Sequence, residues 1–206
     1  MVKNILILFA IFLAGMALRL LIRKSISDRL TKYLMKGDFA SFRKLASGKW
    51  ASFFLDHFNL YYMRFNAAAA ERNREEADLA VENLELLKLN ASQKEVFYGN
   101  AFYYYAMMKD EEKATLYYER LKENADEEEL QEMSRIFDTY VKGGYEHLEE
   151  TWEALKTASE DEKAHLEQLL SDMYRNKGDK SNAKKFKELS ERHLRELEKR
   201  LKEEGQ

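Results

Sequence analysis

Five short turn-like segments recur along this chain at nearly even spacing, and they constrain its fold more than any other feature. They read KGDFASF at Lys36–Phe42, ERNREEA at Glu71–Ala77, MKDEEKA at Met108–Ala114, KGGYEHL at Lys142–Leu148 and KGDKSNA at Lys177–Ala183. With the second residue of each as a register mark, Gly37, Arg72, Lys109, Gly143 and Gly178 lie 35, 37, 34 and 35 residues apart. A period of that length belongs to a repeated helix pair, since one pair cannot bury its apolar side alone and must stack on the next. Five residues after each mark stands Phe42, Ala77, Ala114, Leu148 or Ala183. Where it is Ala, two helices can approach closely. Beyond it, Val81 with Leu84, Tyr118 with Leu121 and Trp152 with Leu155 fall at helical spacing on one face. Four residues before the mark stand Tyr33, Tyr105 and Tyr174, with Ala68 and Thr139 in the other two units.

The class is all-α. The 206 residues contain no proline, which would cost about 3 kcal/mol in a helix interior. Helix starts are signalled by Asn73 with Glu76, Ser92 with Glu95, Asn124 with Glu127 and Ser159 with Glu162. The expected helices are 4–36, 38–47, 51–70, 74–89, 93–108, 111–124, 126–141, 145–157, 160–176 and 180–203. The last unit reads as a cap, with Lys187 and Ser190 replacing the apolar pair of earlier second helices. Its tail keeps Phe186, Leu189, His193, Leu197 and Leu201 on one stripe and is expected to run on as a solvated overhang.

Over about residues 25–195 the chain resembles the tetratricopeptide repeat family, in a degenerate form. The period, the turns Gly37-Asp38, Gly143-Gly144 and Gly178-Asp179, the small or apolar residue five later and the Tyr before the turn carry the resemblance. The family's Pro at the end of the second helix and its early Trp are missing. The resemblance implies an α-solenoid whose first helices line a concave groove. Carrying that register over places Asn59, Tyr62, Asn66, Asn100, Tyr103, Met107, Met133, Phe137 and Tyr140 toward the groove. Tyr, Met and Asn on a rigid surface suit a peptide or protein partner. The family's carboxylate clamp needs Lys and Arg beside Asn66 and Asn100, and these are absent, so an apolar or amphipathic segment is the expected guest.

Ahead of the repeats, every residue from Ile5 to Leu18 is apolar or Gly, and Leu20, Leu21 and Ile22 follow Arg19. Residues 5–22 make roughly 27 Å of helix, close to the thickness of a hydrocarbon core. The segment reads as a single transmembrane helix. Arg19, Arg23, Lys24, Arg29, Lys32 and Lys36 follow it, opposed only by Asp28, which puts the carboxy-terminal domain on the cytoplasmic side. The rival reading is a cleaved secretory signal with Gly15 and Ala17 before the cut. The expected organisation is an anchor with a basic flank over 1–24, a linker and first repeat over 25–50, and the helical repeat domain with its capping helix over 51–206.

Chemistry is conspicuous by its lack of signals. The formal net charge of -3, with basic residues interleaved among acids, argues against nucleic-acid binding. There is no cysteine for a thiolate metal site or nucleophile. No phosphate-cradling glycine loop or nucleophile elbow is present. Glu162 and His165 have the spacing of a di-iron motif but no second copy, so they read as a surface helix pair. Asn90-Ala-Ser92 matches a glycosylation sequon and is read as chance. The expectation is no enzyme and no cofactor: a membrane-anchored binding module or scaffold. An exported soluble repeat protein, or a structural protein that self-associates through groove or tail, are the alternatives.

Overall fold

The computed structural model describes residues 2–123 and 125–204, with side chains described at 13, 15–197 except 124 and 128, and at 199, 200 and 203. These residues form eleven α-helices and no strand. The chain divides into two compact units, residues 1–97 and 98–206.

The first unit holds α1 (Val2–Met35), α2 (Phe39–Ala46), α3 (Lys49–Phe54), α4 (His57–Glu71), α5 (Arg74–Glu85) and the start of α6 (Ala91–Met107). Its core gathers Ile26 and Leu30 of α1, Phe42 and Ala46 of α2, Ala51, Leu55, and Leu60 and Ala67 of α4. The helix expected over 51–70 is divided in two. Leu55 and Asp56 are extended, and the Asp56 carboxylate accepts the Asn59 N–H to start α4. The break lets Leu55 turn into the core while α3 packs on α1.

The second unit holds the rest of α6, with α7 (Glu111–Lys122), α8 (Glu127–Tyr140), α9 (Leu148–Thr157), α10 (Glu160–Asn176) and α11 (Lys180–Glu204). Aromatic rings knit α6 to its neighbours. Tyr105 stacks on Tyr117, and Phe137 stacks on both Tyr118 and Phe102.

The five register marks are the positions where the described backbone turns left-handed. Their φ angles are 66° at Gly37, 59° at Arg72, 57° at Lys109, 68° at Gly143 and 84° at Gly178. At four of them the mark's N–H donates to the carbonyl three residues back. The next N–H donates to the carbonyl of Tyr33, Ala68, Tyr105 or Tyr174, which closes the preceding helix. The same following residue, Asp38, Asn73, Asp110 or Asp179, accepts the N–H three further on and opens the next helix. One turn thus ends one helix and caps the next within two residues.

The fourth turn departs from this pattern. Gly143 is followed by Gly144, which has no side chain to cap, and α9 starts at Leu148 rather than at the expected 145. The Thr139 carbonyl is taken instead by the Asn176 amide, 2.8 Å away, which also donates to Gly144 at 3.0 Å.

Other boundaries shift for local reasons. Asn90 and Gln93, not Ser92 and Glu95, cap α6 reciprocally, at 2.9 and 3.1 Å. Asn124 lies outside the described residues, and Asp126 with Glu129 forms the capping box of α8. Ser159 with Glu162 caps α10 as expected. The tail is not a solvated overhang: α11 runs back along α10 as far as an Arg200–Asp161 pair at 3.3 Å. Ser190 is no part of a polar outer face, being 1% exposed and donating to the Ala164 carbonyl at 2.7 Å. The expected stripe residue Leu201 has no described side chain.

Among the described residues no helix is long and apolar enough to cross a membrane. The span expected over 5–22 lies within α1, and the side chains of 5–12 and 14 are not among those described.

Candidate functional site

The nine groove positions fall on three helices. On α4, Asn59, Tyr62 and Asn66 share a face by their spacing; Asn59 is exposed, the other two are half-buried, and Tyr62 stacks on Phe58 at 5.6 Å. None of the three lines the cavity of about 370 Å³ that lies between α2, α4 and α5 of this unit. That cavity has walls from Phe42, Ala46 and Ala67, and a polar edge where Arg43 meets Glu71 and Arg64 donates to the Ala46 carbonyl.

In the second unit, Asn100 and Met107 of α6 are exposed and Tyr103 is half-buried between them. On α8, Met133 and Phe137 are 9% exposed and Tyr140 is 6% exposed. Phe137, held between Phe102 and Tyr118, belongs to the packing of α6 on α7 and α8. Tyr103 and Tyr140 come together, ring centroids 6.5 Å apart, with the His165 ring 5.8 Å from Tyr103.

Around these two tyrosines the unit collects polar groups that the sequence reading did not assign to a site. His165 does not pair with Glu162, which is occupied in capping Ser159. Its Nε2 lies 2.9 Å from Glu132 of α8, and Arg135 braces the same carboxylate. Burial pushes the Glu132 carboxyl up, but the hydrogen bonds from His165 and Arg135 outweigh it and hold it below the usual range. Asp172 of α10 is 8% exposed and accepts from Gln168 at 2.7 Å and from Arg175.

The Tyr140 hydroxyl is buried, with the Tyr103 hydroxyl and the Asp172 carboxylate as its polar neighbours. Burial raises its pKa, with Tyr103 and Asp172 adding to the rise. Tyr103 is raised for the same first reason, helped by the Asp172 and Glu132 charges. Both phenols therefore stay protonated at all ordinary pH and act as hydrogen-bond donors. No nucleophile is paired with a base here, and no three described His, Asp or Glu side chains group as metal ligands. The arrangement offers two phenol donors, a carboxylate and an imidazole beside exposed Met107. One signal for it did exist: Glu132 and His165 are 33 residues apart, near the repeat period, so successive first helices bring them side by side.

Neither a protein-family model, nor a curated protein, nor a solved structure matches this chain.

Proposed function

We propose that the chain is a membrane-anchored protein-binding module, its helix pairs stacked as a solenoid of tetratricopeptide-like repeats, with residues 5–22 as a single transmembrane helix and the repeats on the cytoplasmic side. The observation that carries the repeat reading is the turn itself: five left-handed residues at intervals of 34 to 37, four of them with the same closing and capping bonds. A turn that both ends and restarts a helix produces antiparallel pairs, and such pairs present the faces of their first helices to a guest.

The face of Tyr103, Met107 and Tyr140 is the binding surface within the second unit. Tyr103 is the reason for placing it there. It is half-buried between exposed Asn100 and Met107 and meets Tyr140 edge-on at 6.5 Å, so a rigid aromatic surface with a polar tip lies open to a bound segment. Met107, 41% exposed, supplies adaptable apolar contact beside it. The Glu132–His165–Arg135 group makes the rim polar, which favours an amphipathic segment over a wholly apolar one. Asn59, Tyr62 and Asn66 form the corresponding face of the first unit.

Two measurements test this reading. The protein should remain with membranes through high salt and carbonate and come off only in detergent; release by carbonate removes the anchor. A photoreactive benzoylphenylalanine at Met107 should crosslink a defined partner in native membranes, while the same group at Leu116, an exposed position on α7, should not. Tyr103→Ala should abolish the Met107 adduct. Equal adducts from both positions, or an adduct unaffected by Tyr103→Ala, would sink the site assignment.

A further inference from the structure

Trp50 and Phe53 of α3 take little part in any core, being 67% and 71% exposed. Phe54 fixes both in place. Trp50 stacks on it with ring centroids 5.7 Å apart, and Phe53 meets it edge-on at 5.0 Å. Phe54 in turn lines a recess with Leu55 of its own connection and with Met16, Arg19, Leu20 and Arg23 of α1. The exposed aromatic pair is therefore held beside the stretch of α1 where the apolar run gives way to basic residues.

That stretch of α1 is itself bare. Leu18, Leu20 and Leu21 are 58%, 61% and 66% exposed. At 3.6 residues per turn these three point to different sides of the helix. A partner helix or a second copy covers one side. Only a solvent that is itself apolar covers all of them, and a bilayer is such a solvent. The polar border agrees: Arg19 and Arg23 line the recess and are exposed, as are Lys24 next to Arg23 and Lys49 next to Trp50 in the chain. The acid at the recess, Asp56, is engaged in capping α4. Aromatic rings with a basic rim are what the headgroup layer of an anionic membrane selects.

We infer that Trp50 and Phe53 enter the headgroup layer of an anionic bilayer beside α1, so that the first unit rests on the membrane surface through α3 as well as through its anchor. The inference rests on the reading of α1 as a membrane anchor, and adds to it a second, interfacial contact that sets how close the first repeat stands to the lipid.

The sequence has two tryptophans, so Trp152→Phe leaves Trp50 as the only indole of the full chain. That variant is placed in vesicles of phosphatidylcholine and phosphatidylglycerol carrying bromines either just below the headgroup or deep in the acyl chain. Trp50 emission should shift to the blue, fall about twofold with shallow bromines and much less with deep ones. Should Trp152→Phe fail to fold, the difference in quenching between the natural chain and Trp50→Phe reads the same quantity. A protein that floats with the vesicles while Trp50 emits as in water overturns the inference and leaves the anchor standing. So does a blue-shifted Trp50 that neither bromine reaches, which would mean a protein contact. A protein that does not float at all overturns the anchor and this inference together.

Discussion

Arg72 and Lys109 hold a backbone conformation that a side chain disfavours by about 1–2 kcal/mol, while the equivalent Gly37 and Gly178 hold it freely. Lys109→Gly and Arg72→Gly should each stabilise their unit by about 1 kcal/mol, and Gly178→Ala should destabilise by a similar amount. Urea unfolding of the three variants checks this; a Lys109→Gly chain less stable than its parent would show that the turn depends on the side chain. A second residue-scale expectation concerns His147, whose Nδ1 and Nε2 each lie 2.9 Å from a carboxylate, Glu150 and Asp138. Only the doubly protonated ring can donate to both. Partial burial opposes the charge, but the two carboxylates outweigh it and raise the His147 pKa. Burial likewise pushes Asp138 up, and Lys142 with His147 outweighs it and lowers the value. A raised histidine stabilises fully below its unfolded value of about 6.5, and that stability is lost as the pH rises through the folded value. A lowered aspartate stabilises above about 3.9 and is lost as the pH falls through its folded value. The tie between α8 and α9 is therefore strongest from about pH 4 to about pH 6.5. His147→Gln should lose stability in that window and converge on the parent above it, as read from urea midpoints; an equal loss at about pH 6 and about pH 9 would mean that charge is not involved.

At the scale of elements, the α10–α11 hairpin shows how polar groups and one aromatic ring share the work of closure. Phe186 is 1% exposed, stacked on Tyr174 at 5.5 Å and met edge-on by Trp152 at 5.2 Å, while Trp152 donates to the Tyr174 hydroxyl at 3.0 Å. Phe186→Ala should cost about 3–5 kcal/mol. Ser190→Ala removes one buried hydrogen bond to a carbonyl and should cost about 1 kcal/mol. Thermal unfolding followed by near-ultraviolet dichroism of Trp152 separates the two; a Phe186→Ala loss no larger than that of Ser190→Ala would mean the cluster is not what closes the hairpin. Ser190 also marks where sequence reading ran short. Its hydroxyl looked like surface chemistry because a serine can turn its donor to its own helix, to water or to a neighbouring carbonyl, and the sequence does not say which. The turns were legible because a left-handed residue followed by Asp or Asn is a local requirement, met within a few residues. The break at Leu55 and Asp56 was not, since its benefit lies in burying Leu55 against α1 and α2, a contact between distant parts of the chain. The site divides in the same way. Asn59, Asn100 and Met107 were placed by the register of the resembled family and are exposed, whereas the grouping of Glu132, His165 and Asp172 around two tyrosines needed the packing of α8 on α10.

For the molecule as a whole, the proposed function depends on which side of the membrane the repeats occupy. Under the proposed anchor, the charge pattern favours the cytoplasmic side. Exposed Arg19, Arg23 and Lys24 stand directly after the apolar run, against Lys3 before it. Holding that cluster on the cytoplasmic side would set the direction in which the proposed anchor inserts, because moving each basic residue across the membrane potential costs about 2.3 kcal/mol per 100 mV. The chain has no cysteine, so a single introduced thiol reports one position without background. Glu188→Cys, on the exposed side of α11, should react with a membrane-impermeant maleimide in inverted vesicles and stay unlabelled in intact cells. Replacing Arg19, Arg23 and Lys24 together with Glu should move a fraction of the chains to the opposite orientation and make the thiol reactive from outside. Labelling of Glu188→Cys in intact cells without those replacements would place the repeats outside the cytoplasm. The Tyr103 face would then meet secreted or envelope partners, and Asn90, now occupied in capping α6, would become the first residue to examine for a glycan.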